Sequence, residues 1–491
     1  MGADRRDGAL NRLELVEADE LSPGDPAPPT APPSTRGTRP SPPAADAGAD
    51  ALPESRRPRT ARRRTLTVLT AVAALAAAFA ASSLWQSWSD RSALLGSRGG
   101  VSSLATAPTP RWEAATTGDE AWAVGDVLVV VRDTVLAGLA PDDGAVVWTA
   151  DLGTPPRCAA PDGDAQAGPA DELVCLTGPE KDPGAWVVDA DGAVTARTAL
   201  GAGPGAATPV PGGVLRWERT GGVLTVSLQD ARDASVLWRS SVAPDDVARE
   251  DLCRPQVSGT AAASVEHGLL VVRGCRVSAV FTPDGARLDD PGEPVTVQVV
   301  PSGADRYLRT TSASASGEVE TTQLVRGDGS VERIVPGRPL VPLATDGTAD
   351  PTRLLSVPSG VQALDPSGTE RWTLSGTVTR VLVVAAGTAV LDLGYVVQGV
   401  DLASGRVMWS FERESLGTVD AVVSAFTDGQ VAAVGLSTLD GSGDGRLVAL
   451  DLEDGDVLWD ERYPGGPGGF LALGGRLVHL DPVAQRVVAH G

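Results

Sequence analysis

The chain has 491 residues, with 41 Lys+Arg against 63 Asp+Glu and a net charge of −22. Residues 1–64 are balanced at net +1, so residues 65–491 carry −23, a field that repels phosphate backbones and argues against nucleic-acid binding while favouring cationic or neutral partners. Lysine occurs once, at Lys181, and asparagine once, at Asn11, the usage expected of a GC-rich bacterial genome.

In chain order, residues 1–64 come first. Eleven of the 38 prolines fall between Pro23 and Pro58, with almost no aromatic or β-branched residue among them, so this stretch lacks the apolar surface to offset its ordering entropy. It reads as a disordered cytoplasmic tail. From Leu66 to Leu84 run 19 residues without a charge, close to the length that spans a bilayer as helix. Arg56, Arg57, Arg59, Arg62, Arg63 and Arg64 precede the run; Trp85 and Trp88 follow it. This asymmetry predicts a single transmembrane helix over 65–85, with the N-terminus in the cytoplasm and the C-terminal domain outside the cell membrane. Ala78-Phe79-Ala80 also fits the small-x-small pattern of a cleaved signal peptide, although 64 residues are long for the leader of one.

After a linker over 86–107, residues 108–491 repeat one phrase: apolar residues, Leu-Asp, a short turn with Gly, and Trp four residues after the Gly. Clear copies are Leu139-Ala-Pro-Asp-Asp-Gly144 to Trp148, Leu364-Asp-Pro-Ser-Gly368 to Trp372, Val400-Asp-Leu-Ala-Ser-Gly405 to Trp409, and Leu450-Asp-Leu-Glu-Asp-Gly455 to Trp459. Weaker copies lie at Val188–Gly192, Leu228–Trp238, Phe281–Gly285 and Val325–Gly329, with a truncated one at Leu480-Asp481. The spacing of about 40 to 50 residues is that of four-stranded propeller blades. Alternating apolar residues make a strand, Asp and Gly turn it, and a second strand comes next. Trp148, Trp238, Trp372, Trp409 and Trp459 then act as blade-docking side chains, wedged over the neighbouring turn. The fold class is all-β: a propeller of eight blades, or alternatively seven, closed by pairing strands around Leu477–Val488 with an N-terminal strand near Arg111–Glu113.

The phrase resembles the Ala-x-Asp-x-x-x-Gly-x-x-x-Trp docking motif of the pyrroloquinoline-quinone-like, quinoprotein alcohol dehydrogenase-like propellers, and the resemblance extends over 108–491. In the quinoproteins the cofactor lies under adjacent cysteines, with calcium held in part by asparagine. This chain has no adjacent cysteines and no asparagine after Asn11, so the resemblance implies the cofactor-free branch, which includes bacterial envelope proteins.

Chemistry is sparse elsewhere. His267, His479 and His490 show no metal-ligand spacing, no Gly-x-Ser-x-Gly elbow occurs, and the carboxylate pairs Asp142-Asp143 and Asp289-Asp290 read as solvated turns. Asp440, Ser442, Asp444 and Asp451 match positions of a calcium loop, and the same letters also spell an Asp/Gly-rich hairpin. Cys158, Cys175, Cys253 and Cys275 all fall outside the membrane, where structural disulfides persist; sequence neighbours pair as 158 with 175 and 253 with 275. The expected function is a protein-binding scaffold of the cell envelope, not an enzyme and without a cofactor. A small-ligand or calcium sensor module is the alternative, and a quinoprotein-type oxidoreductase a third reading.

Overall fold

The computed structural model describes residues 89–491 apart from 119, 160–169, 180–181, 202–204, 221–222, 243–261, 275–276, 290–295, 304, 313–319, 349–352, 413–420, 438–444 and 464–468. The tail over 1–64, the span over 65–85, Cys253, Cys275, Asp440, Ser442 and Asp444 lie outside the described residues. Among the described residues no helix is long and apolar enough to cross a membrane.

Among the described residues the strands form nine sheets, each built on a meander of antiparallel strands; one sheet takes its outer strand from the N-terminal end of the propeller and another gains a short parallel strand. Blade 1 comprises Ala121–Val124, Val127–Arg132, Val135–Leu139 and Val146–Asp151, from inner to outer strand. Blades 2 to 8 follow over 157–199, 206–242, 262–288, 296–335, 338–375, 380–412 and 421–463. Blade 9 joins the two ends of the chain: Phe470–Leu473, Arg476–Asp481 and Arg486–His490 receive Pro110–Ala115 as their outer strand, with Glu113 opposite Val488. Thr109 and Gly491 extend this pairing by exchanging backbone hydrogen bonds.

The count corrects the expected eight or seven blades to nine. The Leu480-Asp481 phrase marks the turn between the second and third strands of blade 9, because its outer strand arrives from the other terminus. The phrases at Phe281 and Val325 lack tryptophan, yet each follows the third strand of a sheet of its own. Blade 4 is the irregular one: three strands, with Arg287 and Leu288 continuing past the turn as a minimal outer edge.

The inner strands are buried on both faces. In Val127–Arg132, Leu128 and Val130 pack toward blade 9, whereas Val129 and Val131 pack toward blade 2. The period-2 alternation of a strand thus feeds two cores at once, so inner strands read as unbroken runs of Val, Leu and Ala. Nine apolar clusters result, one between each successive pair of blades. The last of them, with Ala121, Leu128, Leu480 and Val487, closes the ring between blades 9 and 1.

Residues 89–107 pack onto this ring. A short helix over 89–95 leads to Gly99, whose left-handed φ of 66° brings the backbone against Ala344 and Ala425. Gly100 and Val101 then run alongside Thr427, and the Ser102 N–H bonds to the Gly475 carbonyl at 2.7 Å. A two-residue strand, Ala344–Thr345, lies parallel to the inner strand of blade 7, and its Thr345 N–H bonds to the Arg98 carbonyl at 2.8 Å. These segments meet the propeller on the face that carries the first-to-second-strand turns and the Asp-Gly turns.

Candidate functional site

The repeated tryptophans are placed by a backbone irregularity that the residue pattern does not announce. In seven blades the ladder between third and outer strand shifts by one residue beside the phrase, for example between Gly138 and Leu139, Leu228 and Gln229, and Ala449 and Leu450. Such a bulge adds one unpaired residue and re-aims the side chains after it. The next side chain, Trp148, Trp238, Trp372, Trp409 or Trp459, swings toward the adjacent blade. There the first four indole N–H groups donate to Ala190, Pro283, Leu402 and Leu452 carbonyls at 2.8 to 3.0 Å. Each of these rings lies on the glycine of the neighbouring turn: Gly192, Gly285, Gly405 and Gly455. Gly399, directly across from Trp409, completes a slot in which a Cβ would come within 2.1 Å of the ring.

The structure adds two members to this set. Trp112, on the strand supplied by the N-terminus, covers Gly144 and donates to the Pro141 carbonyl at 2.9 Å, closing the ring as the other tryptophans join their blades. In blade 5 the position is held by Arg333, which lies over Gly368 and donates to the Ser367 carbonyl at 3.1 Å. Trp459 faces no Asp-Gly turn, since that turn of blade 9 is split between the chain ends; it donates instead to Leu104 at 2.7 Å.

The same bulges leave a trace on the outer rim. An undisturbed strand alternates in and out, but a bulged one presents two consecutive side chains to solvent. Exposed aliphatic pairs result: Val146-Val147, Val236-Leu237 and Val457-Leu458, where Val147 is 60%, Leu237 53% and Leu458 44% exposed. Ile334, on the outer strand of blade 5, is 67% exposed. Among the described residues no other strand pairs with the outer edge of these strands, which lies beside the apolar side chains.

The Asp-Gly turns of blades 6 and 7 are acidic and hydrogen-bonded within themselves. The Ser367 hydroxyl holds the Asp365 carboxyl below its usual range, helped by the Thr369 N–H. Asp401 is lowered in the same way by the Ser404 hydroxyl and then by the Ser404 N–H. These aspartates therefore shape hairpins. Asp289 departs from the solvated reading: it is buried, accepts from the Val280 N–H and pairs with Arg287. Asp451 starts the Asp-Gly turn of blade 8, accepting from the Glu453 N–H at 2.7 Å.

Cys158 and Cys175 form a disulfide joining the first two strands of blade 2. His479 and His490, far from each other in spacing terms, come together on neighbouring strands of blade 9 with ring centroids 6.5 Å apart, among Phe470 and Tyr463. Burial pushes the His490 imidazole down to about 4 and the Tyr463 phenol up to about 12. Among the described residues, no three His, Cys, Asp or Glu side chains converge as a metal site.

Residues 343–485 match the family model described as outer membrane protein assembly factor BamB. These blades carry the PQQ-like repeat. The crystal structure of BamB from Moraxella catarrhalis is similar at a TM-score of 0.41 and 12% identity, covering 78% of this chain and 99% of that one. Saccharomyces cerevisiae Sqt1 follows at 0.35 and 9%, covering 78% and 99%, and Kluyvelomyces marxianus Hsv2 at 0.29 and 10%, covering 62% and 99%. No curated protein sequence matches the chain. The sequence match thus runs from within blade 6 to the turn after the second strand of blade 9.

Proposed function

We propose that this protein is a scaffold of the bacterial cell envelope, anchored in the cell membrane by one span over 65–85, with its propeller outside holding other envelope proteins. In this reading it is not an enzyme and carries no cofactor. The observation that supports it most is the outer rim. Exposed aliphatic pairs stand on blades 1, 3 and 8, on outer strands that no other strand pairs with among the described residues, a combination suited to partners that add a strand or lay down an apolar face. The matched family's description as an assembly factor agrees with such a role.

The test is in-cell photo-crosslinking of the full chain with the crosslinking residue at Leu237, Ile334 or Leu458, and at Asp143 as an exposed off-rim control. Capture uses an N-terminal tag, because Gly491 is bonded to Thr109 and a C-terminal tag would load the closing blade. Rim positions are expected to trap the same envelope proteins reproducibly. Trapping at Asp143 equal to that at the rim, or none above an unrelated anchored protein, would overturn the reading.

A further inference from the structure

Charge separates the three aliphatic pairs of the rim. On blade 1, Asp142 of the adjoining turn pairs with Arg476 at 2.5 Å. On blade 3, residues 228–242 hold Asp230 and Asp233 against Arg232 and Arg239, which cancel. On blade 8, Asp451, Glu453, Asp454 and Asp456 fall within six residues that contain no lysine or arginine. Among the described residues none of these four carboxylates forms an ion pair. Their hydrogen bonds stay within the turn: Asp451 accepts from the Glu453 N–H at 2.7 Å and Asp454 from the Asp456 N–H at 3.0 Å.

The turn is fixed in place beside the strand that follows it. The Gly455 N–H donates to the Asp451 carbonyl at 3.0 Å, and the Asp451 N–H to the Asp456 carbonyl at 2.9 Å. The Trp409 ring of blade 7 lies on Gly455 and bonds to the Leu452 carbonyl, while Glu453, Asp454 and Asp456 are exposed. Directly after the turn Val457 and Leu458 are each 44% exposed, at the bulge between Ala449 and Leu450. Val457–Tyr463 pairs with Gly445–Asp451 on one side, and among the described residues no strand pairs with its other side. Edge strands are commonly blunted by lysine, proline or inward-pointing charge. Here Asp460 is taken up by Arg446, and Glu461 and Arg462 stand at the end away from the turn. The half of the strand nearest the turn therefore offers backbone, two aliphatic side chains and a block of negative charge.

We propose that this edge of blade 8 takes an extended, basic segment of an envelope protein as a fifth strand, its lysine or arginine side chains over residues 451–456 and its aliphatic side chains on Val457 and Leu458. Strand addition supplies main-chain hydrogen bonds, and the side chains beside the edge supply specificity. Opposite charge draws such a segment to the turn and fixes which of its ends lies there. A second copy of this chain, edge to edge, would bring four more carboxylates against these. The inference rests on the scaffold reading and names the chemistry of the partner.

The probe is the fluorescein-labelled peptide KRKVTVTV, titrated into the full chain in neutral-lipid nanodiscs and followed by anisotropy, with empty nanodiscs subtracted. The controls are EEEVTVTV, which reverses the charge, and KRKPTPTP, which removes backbone donors. KRKVTVTV is expected to bind saturably, to weaken as salt rises, and to slow amide exchange across Val457–Tyr463 but not across Val236–Val242 of blade 3. Each control peptide is expected to bind at least about tenfold more weakly. Glu453→Gln combined with Asp454→Asn and Asp456→Asn removes three charges at nearly constant shape and is expected to weaken KRKVTVTV about tenfold. Circular dichroism checks the fold, and Glu453→Gln alone, with about a threefold loss, replaces the triple variant if that fails to fold. Absence of saturable binding, equal affinity for EEEVTVTV, protection confined to other blades, or a neutralised turn that binds like the parent would each overturn the proposal. The in-cell crosslink at Leu458 keeps the two readings apart. A protein trapped there equally by the parent and by the neutralised-turn variant defeats the basic-partner inference alone, whereas no specific trapping at any rim position of the parent defeats the scaffold reading.

Discussion

Replacing Trp409 by alanine removes a ring that is 7% exposed, that lies between Gly399 and Gly455, and whose N–H bonds to Leu452 at 2.9 Å. Truncating a buried tryptophan costs about 3 to 5 kcal/mol, and the stranded Leu452 carbonyl adds about 1 kcal/mol. Gly399→Ala attacks the same slot from the other side. Its methyl would sit 2.1 Å from the ring, and relieving such overlap costs about 1 to 3 kcal/mol. In the Trp409→Ala background that methyl fills vacated space, so the double variant is expected to be more stable than the sum of the singles predicts, by at least about 1 kcal/mol. Equilibrium urea unfolding of the four proteins, followed by far-ultraviolet circular dichroism, gives the cycle. Additivity within about 0.5 kcal/mol would refute the stacking of Trp409 in a glycine slot as the device that joins blades 7 and 8.

Four further outcomes are expected. The His490 imidazole is held neutral by burial, against the opposing pull of the Pro108 carbonyl, at about 4. An unfolded histidine titrates near 6.5, so only the unfolded chain takes up this proton between those values. Stability from this group is whole above about pH 6.5 and falls as pH drops toward 4. The loss is at most about 3 kcal/mol, nearer 2 with water at the adjacent chain end, and His490→Phe should flatten urea midpoints over that window. Cys158→Ser with Cys175→Ser opens a link of sequence separation 17 and should lower stability by about 3 kcal/mol; non-reducing peptide maps should show that pair intact and join Cys253 to Cys275. Arg333→Trp restores the repeat's ring over Gly368 and should raise the unfolding free energy by about 1 kcal/mol, whereas Arg333→Ala should lower it, since both the cover and the bond to Ser367 are lost; urea unfolding reads both. Removing the ion pair of Asp289 by Asp289→Ala should destabilise blade 4 by about 3 kcal/mol, because Arg287 and the Val280 N–H lose a buried partner.

Much of the architecture was legible in the residues because the blade is a local unit. A strand, an Asp-Gly turn and a tryptophan four residues later lie within a dozen positions, and each copy repeats the same local physics. The join of a strand near Arg111–Glu113 with those around Leu477–Val488 was also legible from the truncated last phrase, whereas its register, Glu113 opposite Val488, came from the structure. Arg333 and Trp112 escaped the residue pattern for different reasons. Arg333 performs the tryptophan's task with a side chain that does not resemble it, and Trp112 has no turn before it in the chain. Of the proposed calcium residues only Asp451 is described, and it serves a hairpin.

By itself the sequence determined the repeating strand-turn-strand unit, the docking role of its tryptophans and the join between the two ends, because each depends on side-chain chemistry at short spacing. The tertiary structure decided the number of blades and the doubled exposure of residues such as Val146 and Val147. Those features arise from where a ladder slips by one residue and from how many twisted sheets close a ring. Both are settled by packing between segments remote in the chain.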